Sequence, residues 1–304
     1  MKRFAAVLSA CLLAVGGLTA CQGPASPAKT DGKLAVFVTI NALQEFSQAV
    51  GGDKVTVTAL VPDGMEAHDF EPKAQDLAAL SKGDVLVCNG LGMDDWATEA
   101  AHNVGQKDLV VVTASDGADL LAASDVEGGD GDSDSALDPH LWLGLTSAQR
   151  EVTNIRDGFI AADPGNRAYY EANCAAYVAQ LQALLDEYQP RFAAAPRKDF
   201  VTGHAAFGYL CRDMNLTQRS VQGVYAEGEP SARQVSDLVA FCRENDVTTI
   251  FAEEMASPEV SRVLADEVGA KVETIYTMEN AEDGKSYLER MENNLQEILA
   301  SLTD

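Results

Sequence analysis

Residues 163–192 read DPGNRAYYEANCAAYVAQLQALLDEYQPRF. Within them Tyr170, Cys174, Tyr177, Leu181, Leu184 and Tyr188 are spaced by four, three, four, three and four positions, which makes one apolar stripe on a continuous helix. Asp163 supplies a capping side chain and Pro164 suits the first helical position, while Pro190 or Pro196 marks the end. At 1.5 Å rise per residue such a helix is about 40 Å long. That is enough to run past two lobes as a rigid strut, although an ordinary helix inside one domain would carry the same pattern.

Strand-like runs flank this stretch on both sides. Before it, apolar β-branched runs recur at Leu34 to Ile40, Val55 to Val61, Val85 to Cys88 and Leu109 to Thr113. After it, a second set appears at Phe200 to Thr202, Leu216 to Val221, Thr249 to Ala252 and Val272 to Ile275. Amphipathic stretches at Ala205 to Asn215, Ser231 to Asn245 and Pro258 to Val268 separate the later runs. This alternation predicts an α/β protein of two lobes, each a mainly parallel four-stranded sheet flanked by helices. The expected division is an N-terminal lobe over 33–162, a linking helix over 163–195 and a C-terminal lobe over 196–304.

The chain begins with Lys2 and Arg3, an apolar run from Phe4 to Leu18, and small residues, as a secretory signal does. In Leu18-Thr19-Ala20-Cys21 a cysteine directly follows small residues, the pattern of bacterial lipoprotein signals. The expectation is a signal peptide over 1–20, acylation of Cys21, and a disordered polar tether over 21–32. No other apolar run reaches the roughly eighteen residues of a membrane span, so a lipid anchor at Cys21 places the protein on the cell membrane, facing away from the cytoplasm.

A formal charge of −25 over 304 residues repels nucleic-acid phosphates and anionic lipid heads and attracts cations. Nucleic acid is therefore excluded as a partner. Cys88, Cys174, Cys211 and Cys242 show no C-x-x-C spacing and read as buried free thiols, although an exported chain permits disulfides. Ser124 to Ser135, SDVEGGDGDSDS, holds five acids and three glycines and is expected to be a mobile surface loop, either solvated charge or a weak cation collector. It lacks the calcium-loop order of an EF-hand.

Of four histidines, three occupy distinctive settings. His68 lies in Met65-Glu66-Ala67-His68-Asp69-Phe70-Glu71-Pro72, His140 in Asp138-Pro139-His140-Leu141-Trp142, and His204 in Gly203-His204-Ala205-Ala206-Phe207. All three fall at strand ends or loop tips, where parallel sheets place their ligand sites. His102, near the end of a helical stretch, reads as a solvated or helix-terminal residue.

These motifs, with Asn89-Gly90-Leu91-Gly92 followed by Trp96, the extension to Gly208-Tyr209, and Glu229-Pro230-Ser231, resemble the zinc and manganese solute-binding lipoproteins of ABC-type importers. The laminin-binding zinc lipoproteins are a close branch, and the resemblance covers nearly the whole chain after residue 21. It implies a metal held between two α/β lobes joined by a long helix, with His68 and His140 as ligands from the first lobe and His204 from the second. The stretch Thr274-Ile275-Tyr276-Thr277-Met278-Glu279, followed by Tyr287 and Asn294, implies Glu279 as the fourth ligand, with Glu273 and Glu282 as substitutes. It further implies a monomer that delivers its ion to an ABC-type membrane permease. Where zinc binders of this family carry a histidine-rich loop, this chain has its acidic segment.

Three imidazoles and one carboxylate suit Zn2+, and Mn2+, which prefers more oxygen, is the second candidate. Four protein ligands leave no position for an activated water, which argues for carriage over catalysis. The competing enzyme would be a zinc hydrolase with Glu279 or Glu66 as base, but no H-E-x-x-H pair occurs. A surface adhesin is the remaining alternative. Gly90-Leu91-Gly92 alone is too weak a glycine signal for a nucleotide site.

Overall fold

The computed structural model describes residues 32–65, 70–126, 136–226, 230–253, 259–281 and 283–303. The expected signal peptide, Cys21, the tether up to Asp31, Glu66, His68, residues 127–135 of the acidic segment, Glu229 and Glu282 lie outside the described residues.

The first lobe runs β1 (Leu34–Val38), α1 (Asn41–Gly51), β2 (Val55–Ala59), α2 (Ala74–Leu80), β3 (Val85–Cys88), α3 (Asp95–Val104), β4 (Val110–Thr113) and α4 (Leu145–Ala162). The long α5 (Arg167–Ala194) follows. The second lobe runs β5 (Asp199–His204), α6 (Gly208–Met214), β6 (Thr217–Gln222), α7 (Ala232–Glu244), β7 (Thr249–Glu253), α8 (Glu259–Val268), β8 (Lys271–Ile275) and α9 (Tyr287–Thr303). The sheets are ordered β2-β1-β3-β4 and β6-β5-β7-β8, with every pairing parallel. Strands β3 and β7 are buried along their whole length, β3 as an unbroken apolar run and β7 as an apolar centre between Thr249 and Glu253. In each lobe the order reverses between the first and third strands, β1 against β3 and β5 against β7. Parallel sheets bind ligands in the crevice at that reversal, beyond the carboxyl ends of the strands. No described helix is long and apolar enough to cross a membrane.

Two details of the linking helix differ from the sequence pattern. Its buried residues are Tyr170, Cys174, Leu181, Leu185, Tyr188 and Phe192, so Leu185 replaces Leu184 and the stripe drifts. The reason is that the helix changes neighbours. Asn173 donates to Val50 O of α1 and Cys174 lies against Val152 O of α4, whereas Gln189 donates to Asp213 O of α6. The second is the start: Asp163 gives no side-chain cap, Pro164–Asn166 form a 3-10 turn and the α-helix begins at Arg167, while the Asp163 carboxylate accepts from Asn166 Nδ2 at 2.6 Å and Tyr170 Oη at 2.9 Å. Of the two expected ends, Pro190 lies inside the helix, which stops at Ala194 just before Pro196.

The acidic segment departs from expectation at its first residues. Ala123–Asp125 form a 3-10 turn, and Val126 is buried in a small cluster with Ala123, Ala205 and Val224. The four cysteines are free and buried, as their spacing predicts. Burial pushes the Cys88 thiol up to about 12 and Cys242 to about 11, which leaves them unreactive at neutral pH. His102 is exposed in the last turn of α3.

Glu151 on α4 is fully buried, and no described group hydrogen-bonds either of its carboxylate oxygens. Desolvation first, and the neighbouring Asp94 charge second, hold it well above its ordinary 4.5. The folded chain therefore keeps a proton that the unfolded chain releases, and stability falls as pH rises from about 4.5 towards the folded value. Glu151→Gln keeps the shape without the ionisation. It is expected to flatten that slope and to raise stability at pH 8 by ~1–3 kcal/mol, because the amide has no proton to hold against neutral solution and each pH unit between the unfolded and folded pKa costs about 1.4 kcal/mol. Urea unfolding of both chains at pH 5 and pH 8 checks this, and a parallel pH response in the variant would refute it.

Candidate metal centre

His204 is the last residue of β5, so its side chain stands at the carboxyl end of the strand beside the sheet reversal. His140 comes from the first lobe, in the turn before the 3-10 helix Leu141–Leu143. That turn is stitched from several sides. Asp138 N donates to Leu121 O at 2.9 Å, Asn89 Nδ2 to Pro139 O at 2.8 Å, and Tyr209 Oη of the second lobe to Asp138 O at 2.8 Å. A backbone so fully paired leaves the imidazole little freedom.

Glu279 rides on the loop after β8, and this loop is clamped by the opposite lobe. Asn41 N and Ala42 N, at the start of α1, donate to Glu279 O at 2.9 Å and Met278 O at 3.1 Å. Trp142 Nε1 donates to Thr277 O at 2.6 Å, and the Asn294 side chain pairs with both backbone groups of Tyr276. Tyr287 Oη closes the ring of contacts by donating to Trp142 O at 2.5 Å. Tyr287 and Asn294, noted in the sequence beside Glu279, thus hold the loop that carries it.

One ligand atom from each of His140, His204 and Glu279 lies within 4.8 Å of the other two. The two imidazole centroids are 5.3 Å apart. Exposures of 0 % for His140, 8 % for His204 and 5 % for Glu279 put the cluster out of bulk water, where charge interactions are strong. His140 Nδ1 is 2.9 Å from Asp138 Oδ1, and His204 Nδ1 is 3.4 Å from Glu253 Oε1. Burial pushes Asp138 up to about 7, against the His140 backbone N–H and the His204 and Arg212 charges that favour its anion. Glu273, a substitute for Glu279 on sequence grounds, instead pairs with Lys271 at 3.3 Å on β8. Sequence reasoning missed Asp138 and Glu253. The signal for Asp138 was its place two residues before His140, whereas Glu253 is joined to His204 only by sheet topology.

A dense pair of imidazoles with a carboxylate, drawn from two lobes, is the chemistry of divalent transition-metal capture. The family model described as zinc-uptake complex component A, periplasmic, matches residues 36–301. The chain belongs to this zinc-uptake family. Its relatives include a putative metal-binding protein of Treponema pallidum (strain Nichols), 44% identical over 88% of this chain and 86% of that protein. The high-affinity zinc uptake system protein ZnuA of Bacillus subtilis (strain 168) is 36% identical over 97% of this chain and 96% of its own. Among solved structures, the laminin-binding protein Lmb of Streptococcus agalactiae, described as having adhesin and metal-transporting activity, superposes with a TM-score of 0.81. It is 30% identical over 89% of this chain and 100% of its own. A member of the zinc-uptake family is an extracytoplasmic solute-binding component that captures zinc for an ABC-type importer, and this family is not one of enzymes.

Proposed function

We propose that His140, His204 and Glu279, with His68 as the fourth ligand, hold one Zn2+ ion between the lobes, and that the chain hands it to a membrane permease. The carrying observation is the convergence of the three described ligand atoms within 4.8 Å from both lobes. Three neutral imidazoles and one carboxylate favour zinc over manganese, which prefers a set richer in oxygen. With Glu279 inside the cluster the set closes at four protein ligands and leaves no open position for an activated water, so carriage fits better than hydrolysis. On this reading the protein works as a monomer, anchored through acylated Cys21 to the outer face of the cell membrane. The Leu18-Thr19-Ala20-Cys21 sequence supports that anchor.

Calorimetric titration of the metal-stripped chain, residues 22 onward, tests the site. One tight zinc site is expected, with manganese weaker and zinc binding by Glu279→Ala reduced about tenfold or more. Tighter manganese than zinc, or wild-type zinc affinity in Glu279→Ala, would overturn the assignment.

A further inference from the structure

We infer that Asp138 and Glu253 are the positioning residues of the metal site, each binding Nδ1 of one histidine and so presenting Nε2 to the ion. The inference rests on the ligand reading above and assigns roles to two residues outside it.

The two carboxylates make the same pair of contacts in different lobes. Asp138 Oδ1 lies 2.9 Å from both the backbone N and the Nδ1 of His140, with both side chains fully buried. Glu253 Oε1 lies 2.9 Å from the backbone N of His204 and 3.4 Å from its Nδ1, the second contact longer than an ordinary hydrogen bond. Glu253 is 5 % exposed and ends β7, the strand paired with β5 at the sheet reversal. Neither carboxylate touches a basic side chain among the ion pairs of the described residues other than its histidine. Two buried acids, each spent on one imidazole, are costly unless they serve the ring. A carboxylate on Nδ1–H fixes the tautomer, leaves the Nε2 lone pair for metal, and makes the ring a stronger donor.

Two glycines of one short stretch, Gly203-His204-Ala205-Ala206-Phe207-Gly208, make room for this arrangement. A Cβ on Gly203 would fall 2.9 Å from the Glu253 carboxyl carbon and overlap an oxygen. A Cβ on Gly208 would fall 2.6 Å from Asp138 Oδ2. Gly203 and Gly208 are absent from the positive-φ residues, so what they supply is space and not conformational freedom. The histidine motif thus carries one ligand together with the clearances for both carboxylates.

The test uses Asp138→Asn and Glu253→Gln in the full chain after residue 21, with zinc affinity read by competition against a chromophoric chelator. The metal-free chains are followed by thermal unfolding and by 1H–15N spectra of the histidine rings. Each variant is expected to lose about 10–100-fold in zinc affinity. The thermal midpoint should hold, and only the ring facing the altered carboxylate should shift. A variant that does not fold is replaced by Gly208→Ala or Gly203→Ala, which displace the same carboxylates. Unchanged affinity in both variants would overturn the inference, as would a loss accompanied by equal shifts at both rings, the mark of a general packing defect. His204→Ala, run in parallel, separates the two readings. If it loses zinc while the carboxylate variants keep it, only the positioning roles fail; if it keeps zinc, the ligand set itself fails.

Discussion

His140→Ala is expected to weaken zinc binding on the order of a hundredfold and to destabilise the metal-free chain as well. The first figure follows from the binding energy of zinc sites with four protein ligands, about 10–16 kcal/mol, or roughly 3 kcal/mol per ligand. The second follows from what the ring leaves behind. His140 packs at 5.3 Å from the Trp142 ring and at 5.3 Å from His204 and is itself fully buried, so its removal opens a space inside the molecule. Asp138 also loses its Nδ1 donor while buried at 0 %, keeping only the backbone N–H of residue 140. His204→Ala should cost similar zinc affinity but less stability, because that histidine is 8 % exposed and its Nδ1 contact with Glu253 is the longer of the two. Competition titration gives the affinities and thermal unfolding without metal gives the stabilities. Wild-type zinc affinity in either variant would remove that histidine from the site.

The three side chains that converge in the proposed site stood out in the sequence because they sit in short local patterns. His204 closely follows the short β-branched run Phe200 to Thr202 that reads as a strand, and strand ends are where parallel sheets bind. His140 lies directly after a break in the apolar pattern. Other parts were hidden because they depend on residues distant in sequence. Glu253 reaches His204 only because β7 pairs with β5, a neighbour relation set by the crossover and invisible in a linear chain. Helix α4 opens on Gly144 without a capping side chain, and the capping box of α9, Ser286 with Glu289, was passed over in the sequence, yet α4 packs on both α1 and α5 and α9 supplies the clamp on the Glu279 loop. The stripe on α5 was legible in its period but not in its drift, since the drift records which lobe the helix is passing.

The lobes are joined by more than the strut. The loop carrying Thr277, Met278 and Glu279 belongs to the second lobe, but its carbonyls accept from Asn41, Ala42 and Trp142 of the first. Gly64 N of the first lobe donates to Asn280 Oδ1 at 3.1 Å. Opening the cleft by hinge motion would break all of these together, so the structure resists separation of the lobes more than a local shift of this loop. Met278 supplies a place for it. Its φ of +60° is unusual for a residue with a side chain, and its side chain is fully buried. Such a conformation costs on the order of 1–3 kcal/mol and persists only while its surroundings enforce it.

Arg290 holds the chain just after Met278 and Glu279, and its loss should show in both stability and binding. The residue is 1 % exposed on α9, and its guanidinium donates to Asp283 Oδ1 at 3.0 Å, Asn41 Oδ1 at 3.0 Å and Asn280 O at 2.8 Å. One side chain thereby ties the start of α1 to Asn280 and Asp283, the stretch that directly follows Glu279. Arg290→Met keeps the apolar length but removes the donor from two buried acceptors, Asn41 Oδ1 and Asn280 O, while Asp283 keeps Lys285 at 3.1 Å, so a loss of about 2–4 kcal/mol is expected, the cost of two unpaired buried groups. Zinc affinity should fall about tenfold, because Met278 is freed to leave its strained angle and Glu279 moves with it. Arg290→Lys should recover only part of both effects, since an ammonium cannot reproduce the planar fork that reaches three acceptors at once. Urea unfolding and zinc competition on the three chains decide the matter. A variant that loses stability while keeping zinc affinity would show that the clamp holds the fold but does not aim Glu279, and the strained loop would then have to be held by the Asn41, Ala42 and Trp142 donors alone.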